Sequence, residues 1–264
     1  MKTIAPTDIF KNYIDNLINV VKLDPRFIAI CCAGSAITDE LDKYSDLDIV
    51  LITENHVTFS PIEMNHFANQ IGNLLVGFTG EHVGENRLLI CLYNSPLLHV
   101  DLKFIQIQDF NNRVENPKII FDRYNQIPTI YKKTTAIWPN INFQWIEDRF
   151  WVWIHYAATK LGRGELFEAI DFLTFLRGNV LGPMLHLKYE KNPRGVRKLD
   201  FLLSKPDIES LKSTLAIYEF NSIFDSIFAS IYLYCELRDL LAASLTKQEA
   251  AEKESIQYLK DLKK

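Results

Sequence analysis

Two apolar segments of strand length, residues 27–33 and 47–52, enclose the feature that most constrains this chain. Between them lie a small-residue bend, residues 33–35, and a polar stretch that ends at Asp46. A glycine in such a bend lets backbone N–H groups approach a phosphate closely. Asp46 and Asp48 stand two residues apart, so a strand would project both carboxylates from one face. This pattern is suited to a nucleotide with Mg²⁺, because Mg²⁺ prefers carboxylate and phosphate oxygens.

The order of these residues also resembles a known motif. Gly34 and Ser35 are followed, after ten residues, by Asp-Leu-Asp-Ile starting at Asp46. This resembles the signature of the DNA polymerase beta-like nucleotidyltransferase superfamily. The resemblance implies that Gly34 and Ser35 hold a triphosphate and that Asp46 and Asp48 bind metal. It also implies a third metal-binding carboxylate on a later strand, and Asp101 is the only acid in a strand-like run there.

Composition limits the class of protein. The 264 residues are 48% hydrophobic and carry a formal net charge of −4, so no nucleic-acid partner is expected and a small acceptor is favoured over a template. The four cysteines lack metal-ligand spacing, which indicates free thiols. No apolar run reaches membrane-spanning length and no secretion signal is recognisable, so we expect a cytoplasmic protein without a membrane contact.

The first half of the chain predicts a small mixed α/β unit. A helix is expected over residues 7–23. A second helix begins with a capping box, Ser60 and Glu63, and is predicted to run to about Gly77. Two strands near residues 87–93 and 97–105 follow as an antiparallel hairpin, and residues 118–122 are a candidate edge strand.

From about residue 140 the pattern is helical. One helix is predicted over residues 143–161, a second from Glu165 with a kink at Gly182-Pro183, and a long last helix from Asn221 to the end. The predicted class is therefore α+β, with a mixed-sheet nucleotidyltransferase domain (residues 1–130) followed by a helical bundle (residues 140–264).

This layout resembles the antibiotic nucleotidyltransferases that adenylylate aminoglycosides and lincosamides. The resemblance implies a transferase that moves a nucleoside monophosphate from ATP or another nucleoside triphosphate to a hydroxyl and releases pyrophosphate. Two Mg²⁺ ions are expected, because two metals can activate the attacking oxygen and stabilise the leaving one. Lys160 is the candidate phosphate contact of the helical part, because these families use a lysine at that place. Arg163 is expected to assist Lys160.

A carboxylate within reach of the acceptor hydroxyl is needed as general base. Glu165 is the candidate, and Glu147 and Asp148 are alternatives. Two other functions stay open at this point: transfer of AMP to a protein hydroxyl, as in toxin–antitoxin systems, and a non-catalytic nucleotide-binding module. The acceptor, the choice of ATP or GTP, and a homodimer are not decided by the sequence.

Overall fold

The computed structural model describes residues 6–242 and 244–263. The chain divides into two compact units, Met1–Pro139 and Asn140–Lys264. The described part of the first unit joins helices to a six-stranded sheet, and that of the second is helical. The predicted α+β class is confirmed.

The first unit follows the predicted order closely. Its helices and strands are α1 (Pro6–Leu23), β1 (Phe27–Cys32), β2 (Leu47–Thr53), α2 (Pro61–Ile71), β3 (Leu74–Gly80), β4 (Glu85–Tyr93), β5 (Leu98–Gln106), β6 (Lys118–Asp122) and α3 (Ile127–Lys133). The strands lie in the order β3-β4-β5-β2-β1-β6, with β6 at an edge as predicted. Only β2 and β5 pair in parallel among these strands, and the other neighbours are antiparallel.

The two faces of the sheet are built differently. Leu47, Ile49 and Leu51 of β2 are buried, and they belong to the core that includes side chains of α1 and α2. The intervening residues point to the opposite face, because successive side chains of a strand alternate. That face begins with Asp48 and becomes apolar at Val50 and Ile52, which belong to a second, smaller core with α3. Strand alternation therefore separates a charged end of the face from a packed end.

The second helix is shorter than predicted. Ser60 and Glu63 form the expected capping box, but α2 ends at Ile71, and Leu74–Gly80 is strand β3 rather than helix. The apolar residues there fit helical spacing and strand composition equally well. Antiparallel pairing with β4 supplies backbone hydrogen bonds that one further helical turn would not match.

The second unit contains seven α-helices in its described residues. They are α4 (Phe143–Gly162), α5 (Leu166–Leu176), α6 (Gly182–Lys188), α7 (Leu199–Leu202), α8 (Lys205–Lys212), α9 (Phe220–Leu241) and α10 (Glu249–Asp261). A π-helical segment, Arg177–Leu181, joins α5 to α6, so the predicted kink falls just before Gly182-Pro183. Proline lacks the N–H that a regular helix would need there.

Two predictions concern the membrane and the thiols. No helix of the described chain is long and apolar enough to cross a bilayer. All four cysteines are free, as predicted.

The long last helix was wrongly predicted as one element. It consists of α9 and α10, which are separated after Leu241 and resume at Glu249. The chain turns back because Leu259 of α10 is fully buried in the helical core. In addition, Ser255 donates a hydrogen bond to the backbone oxygen of Trp151 on α4 at 2.9 Å.

Glu147 of α4 is fully buried and binds the helices of this unit together. Its carboxylate accepts hydrogen bonds from four donors, which are Trp151 Nε1 at 3.1 Å, Tyr234 OH at 2.5 Å, the Gln248 backbone N–H at 2.9 Å and Arg238 Nη1 at 3.4 Å. Burial acts to raise the pKa of Glu147, but the donors outweigh burial and hold that pKa below its usual value. Glu147 thus has a structural role as the shared acceptor of these donors, and its assignment as an alternative general base stays a prediction.

We expect Glu147→Ala to lower the free energy of unfolding of the helical unit by about 3 kcal/mol, because the buried donors lose their shared acceptor. Urea denaturation followed by tryptophan fluorescence measures this, since three of the four tryptophans lie in α4. The folded-state pKa is lowered, so the carboxylate stabilises above the unfolded-state pKa of about 4.3, and this advantage disappears as the pH falls through the folded-state pKa.

The matched control is Glu254→Ala, which removes an exposed carboxylate of α10 and should change stability by less than about 0.5 kcal/mol. Equal stabilities of Glu147→Ala and the wild type at pH 7 would contradict the structural role.

Candidate active site

Asp48 and Asp101 are neighbours across the parallel pairing of β2 with β5. The two residues are register partners, as are Leu47 with Val100 and Ile49 with Leu102. Register partners project to the same side of a sheet, so both half-buried carboxylates lie on one face. The structure therefore brings together two of the three carboxylates that the sequence predicted for a metal.

Asp46 directly precedes β2 rather than lying within it. Its carboxylate is half-buried, and its negative charge is close enough to Asp101 to raise the pKa of that residue. Burial is the larger cause of the raised pKa of Asp101. The imidazole of His99, whose Nε2 lies 3.0 Å from Asp101 Oδ1, opposes the rise. All three predicted aspartates thus contribute to one crowded, negatively charged patch.

Gly34 lies against Asp48. The bend is joined to β2 by a hydrogen bond from the Ala33 N–H to the Asp48 backbone oxygen at 2.8 Å. Gly34 has a φ of +60°, and a Cβ at this position would overlap Asp48 Oδ2 and lie 3.1 Å from Asp48 Cγ. Only glycine combines this backbone conformation with so close an approach of a carboxylate. Ser35 follows in a short 3-10 turn, Gly34–Ala36, and is half-buried.

The charged end of the sheet face continues along β4 and β5. Lys103 Nζ lies 2.9 Å from Glu85 Oε2, and Arg87 Nε lies 2.8 Å from Glu85 Oε1. The Arg87 guanidinium, followed by the Lys103 ammonium, overcomes the effect of burial and holds the pKa of Glu85 at about 2. A carboxylate with so low a pKa is a weak proton acceptor. The role of Glu85 is therefore to neutralise the positive charges of Arg87 and Lys103.

The aspartate patch suits Mg²⁺ in its chemistry. Asp46, Asp48 and Asp101 supply hard oxygen donors, and their mutual repulsion is what a divalent cation would relieve. Within residues 6–242 and 244–263, no three histidine, cysteine, aspartate or glutamate side chains already form a ligand set for a metal. Mg²⁺ sites usually take one or two carboxylates and are completed by substrate phosphates and water, which agrees with this partial set.

The other predicted site residues form a separate cluster within the helical unit. Lys160 Nζ, at the end of α4, lies 2.8 Å from Glu165 Oε2 and 3.0 Å from Glu168 Oε1. These carboxylates raise the pKa of Lys160. Arg163 is exposed, and its Nη1 is 3.9 Å from Glu165 Oε1. The loop between α4 and α5 thus brings Lys160, Arg163 and Glu165 together.

One contact of the bend was missed by the sequence analysis. The backbone N–H of Gly34 donates a hydrogen bond to Glu115 Oε1 at 3.2 Å. Glu115 lies in the loop before β6, and β6 pairs with β1 so that Lys118 is opposite Cys32. A sequence signal for this contact did exist. Pairing of the predicted edge strand, residues 118–122, with β1 places the loop before that strand near Gly34.

Comparison with known proteins gives a family. The model of the streptomycin adenylyltransferase family matches residues 9–262 of the chain. None of the curated proteins compared with the chain matches it.

Solved structures provide more distant likenesses. An aminoglycoside 6-adenyltransferase from Bacillus subtilis is 16% identical, with 96% of this chain and 98% of that chain covered and a TM-score of 0.44. A nucleotidyltransferase-like protein from Exiguobacterium sibiricum is 15% identical, with 88% and 74% covered and a TM-score of 0.41. A spectinomycin adenyltransferase from Enterococcus faecialis, solved with ATP and spectinomycin, is 14% identical, with 96% and 99% covered and a TM-score of 0.31.

These likenesses are too distant to add to the family match. The family model, however, spans nearly the whole chain, including the Gly34-Ser35 bend and all three aspartates. It agrees with the resemblance stated on the motif alone. The protein therefore belongs to the streptomycin adenylyltransferase family and is a nucleotidyltransferase enzyme.

Proposed function

We propose that the protein transfers AMP from ATP to a hydroxyl of an aminoglycoside-like or lincosamide-like antibiotic, in a Mg²⁺-dependent reaction that releases pyrophosphate. The observation that carries the proposal is the pairing of Asp48 with Asp101 beside Gly34. Family membership supplies the class of reaction, and the aspartate patch supplies residues of the required chemistry.

The reaction forms one bond and breaks one. The acceptor oxygen attacks the α-phosphorus of ATP, and the bond from this phosphorus to the oxygen that bridges to the β-phosphate breaks. The bridging oxygen leaves with pyrophosphate, and the hydroxyl proton passes to a carboxylate. Because the protein contributes mainly positioning and charge in such transfers, its task is to hold both reactants in line and neutralise charge.

Asp46, Asp48 and Asp101 would hold Mg²⁺. When bound, Mg²⁺ neutralises triphosphate charge and lowers the pKa of a hydroxyl that it contacts. In our proposal the backbone N–H of Gly34 and the Ser35 hydroxyl bind phosphate oxygens. Burial is the main cause of the raised pKa of Asp101, and the nearby negative charge of Asp46 adds to the rise. A cation between the two carboxylates would relieve that second contribution, which supports this arrangement.

The helical unit is proposed to contribute Lys160 and Arg163 to the triphosphate and Glu165 as the acceptor of the hydroxyl proton. Support comes from their meeting in one cluster, where the Lys160 ammonium lies 2.8 Å from Glu165 Oε2. Glu168 shares the Lys160 ammonium, so Lys160 can leave one carboxylate for a phosphate without losing the other.

The function is tested with radiolabelled ATP, Mg²⁺ and a panel of aminoglycosides, lincosamides and lysate proteins. We expect label on one antibiotic class, with turnover in Asp48→Asn reduced at least about a hundredfold because a metal-binding carboxylate is lost. Thin-layer chromatography of the products, with circular dichroism to verify folding, measures both effects.

Asp15→Asn is the matched control, since Asp15 is an exposed carboxylate of α1 in the same unit. Label on lysate proteins alone would favour AMP transfer to proteins. ATP binding without any labelled product would favour the non-catalytic alternative. Wild-type turnover in Asp48→Asn would end the metal assignment.

We expect Gly34→Ala to abolish most turnover, because its Cβ must displace the Asp48 carboxylate. The control is Gly84→Ala, which has a similar φ of +77° but no atom within 4 Å of the added Cβ. Both variants carry the backbone cost of about 1–2 kcal/mol, which thermal denaturation measures. Loss of turnover in Gly34→Ala alone supports the close approach, and equal turnover in the two variants would refute it.

Lys160→Ala should raise the KM for ATP about tenfold, because a charge-assisted contact to phosphate is removed. Glu165→Gln should lower kcat and leave this KM unchanged, since a base acts on the acceptor. Lys212→Ala is the control, because Lys212 is also ion-paired, with Glu209 at 2.9 Å. Steady-state kinetics separate the two parameters. An unchanged KM in Lys160→Ala would remove Lys160 from the nucleotide site.

A further inference from the structure

The backbone N–H of Gly34 is already engaged by an anion of the protein itself. Glu115 Oε1 accepts its hydrogen bond at 3.2 Å in a half-buried setting. The two residues are 81 positions apart in sequence. They meet because β6 pairs with β1 and carries its preceding loop to the bend.

This N–H is the donor that the proposed function assigns to the triphosphate. Carboxylate and phosphate oxygens are the same kind of acceptor, since both are anionic and both prefer backbone N–H groups at such bends. One N–H directs one hydrogen bond of good geometry. Glu115 and a phosphate therefore compete for Gly34.

The loop that carries Glu115 is anchored on both sides. Before it, the guanidinium of Arg113 is buried and donates to Asn116 Oδ1 at 2.6 Å and to the Thr134 backbone oxygen at 2.8 Å. After it, the Tyr131 hydroxyl donates to the Pro117 backbone oxygen at 2.5 Å. With its flanks held, Glu115 can leave Gly34 by rotation of its own side chain, without unfolding the loop.

Charge makes the competition stronger. Asp48 Oδ2 lies where a Cβ of Gly34 would stand. The Glu115 carboxylate adds a second negative charge at the same residue. An arriving triphosphate is repelled by both, but only Asp48 has a use in holding the cation that accompanies it.

We propose that Glu115 is an internal competitor of the nucleotide: its carboxylate occupies the phosphate position at Gly34 and must withdraw before a triphosphate binds. The inference rests on the proposed function and goes beyond it, because it assigns to Glu115 the control of nucleotide affinity. Once the nucleotide is bound, Glu115 is displaced and takes no part in the transfer.

Isothermal titration of the full chain with a non-hydrolysable ATP analogue and Mg²⁺ tests this. We expect about tenfold tighter binding by Glu115→Ala and a smaller gain by Glu115→Gln, whose amide is a weaker acceptor. Glu115→Asp keeps the charge but shortens the side chain by one methylene, so its affinity should fall between those of the wild type and Glu115→Ala. The kcat at saturating ATP should stay within about twofold of wild type in all three.

Glu54→Gln is the charge control, because Glu54 is an exposed acid just beyond the opposite end of β2 from Asp48. Its affinity should equal that of the wild type. A gain in Glu54→Gln as large as in Glu115→Ala would overturn the specific contact in favour of a general charge effect.

The remaining outcomes separate this inference from the proposed function. Weaker binding or a lowered kcat in Glu115→Ala would make Glu115 a ligand of substrate and overturn the competition. Unchanged affinity with a lowered melting temperature would reduce it to a structural contact. If the wild type binds nucleotide and Glu115→Ala gains nothing, only the competition fails, whereas absence of binding in both proteins overturns the competition and the nucleotide site together.

Discussion

The parallel pairing of β2 with β5 is the constraint on which the candidate site depends. Asp48 and Asp101 stand side by side only in this register, and a slip of one residue would turn one carboxylate into the core. The register is held by the buried alternate residues of both strands, among them Leu47, Ile49 and Leu102. Hydrophobic burial on one face therefore positions charge on the other, and the carboxylates need no contact with each other to be aligned.

Around the bend, stability and function make opposite demands on charge. Asp46, Asp48, Asp101 and Glu115 bring negative charge to the neighbourhood of Gly34, although like charges repel. The protein offsets this with local partners, of which His99 is one example. Under the proposed function, Mg²⁺ would relieve the repulsion between these carboxylates, and it would also reduce their repulsion of the triphosphate that binds with it.

Much of this arrangement could be predicted because it is local. Alternation along residues 47–52 predicts which face carries Asp48, and the capping box at Ser60 predicts where α2 begins. Other features depend on partners far along the chain. Residues 74–80 form a strand because they pair with β4. The chain turns back after Leu241 toward α4, where Gln248 contacts Glu147, 101 positions away.

The candidate site follows the same division. The Gly34-Ser35 bend, Asp46 and Asp48 follow from the spacing of one short motif, and Asp101 is the only acid of a later strand-like run. Glu115 has no motif, and only the pairing of β6 with β1 brings it to Gly34. Lys160 and Glu165 lie close together because a short loop joins their two helices. The ion pair of Lys160 with Glu168 was not predicted.

The buried carboxylate of α4 has an evolutionary consequence. Glu147 is shared by Trp151, Tyr234 and Arg238, so the effect of replacing any one of them depends on whether the others are present. Substitutions at these positions are therefore expected to occur together. An apolar residue at position 147 becomes acceptable only after the polar donors of Glu147 have been replaced. Related chains should therefore show these four positions as one inherited block, and a homologue that lacks the acid should have exchanged its tyrosine and arginine as well.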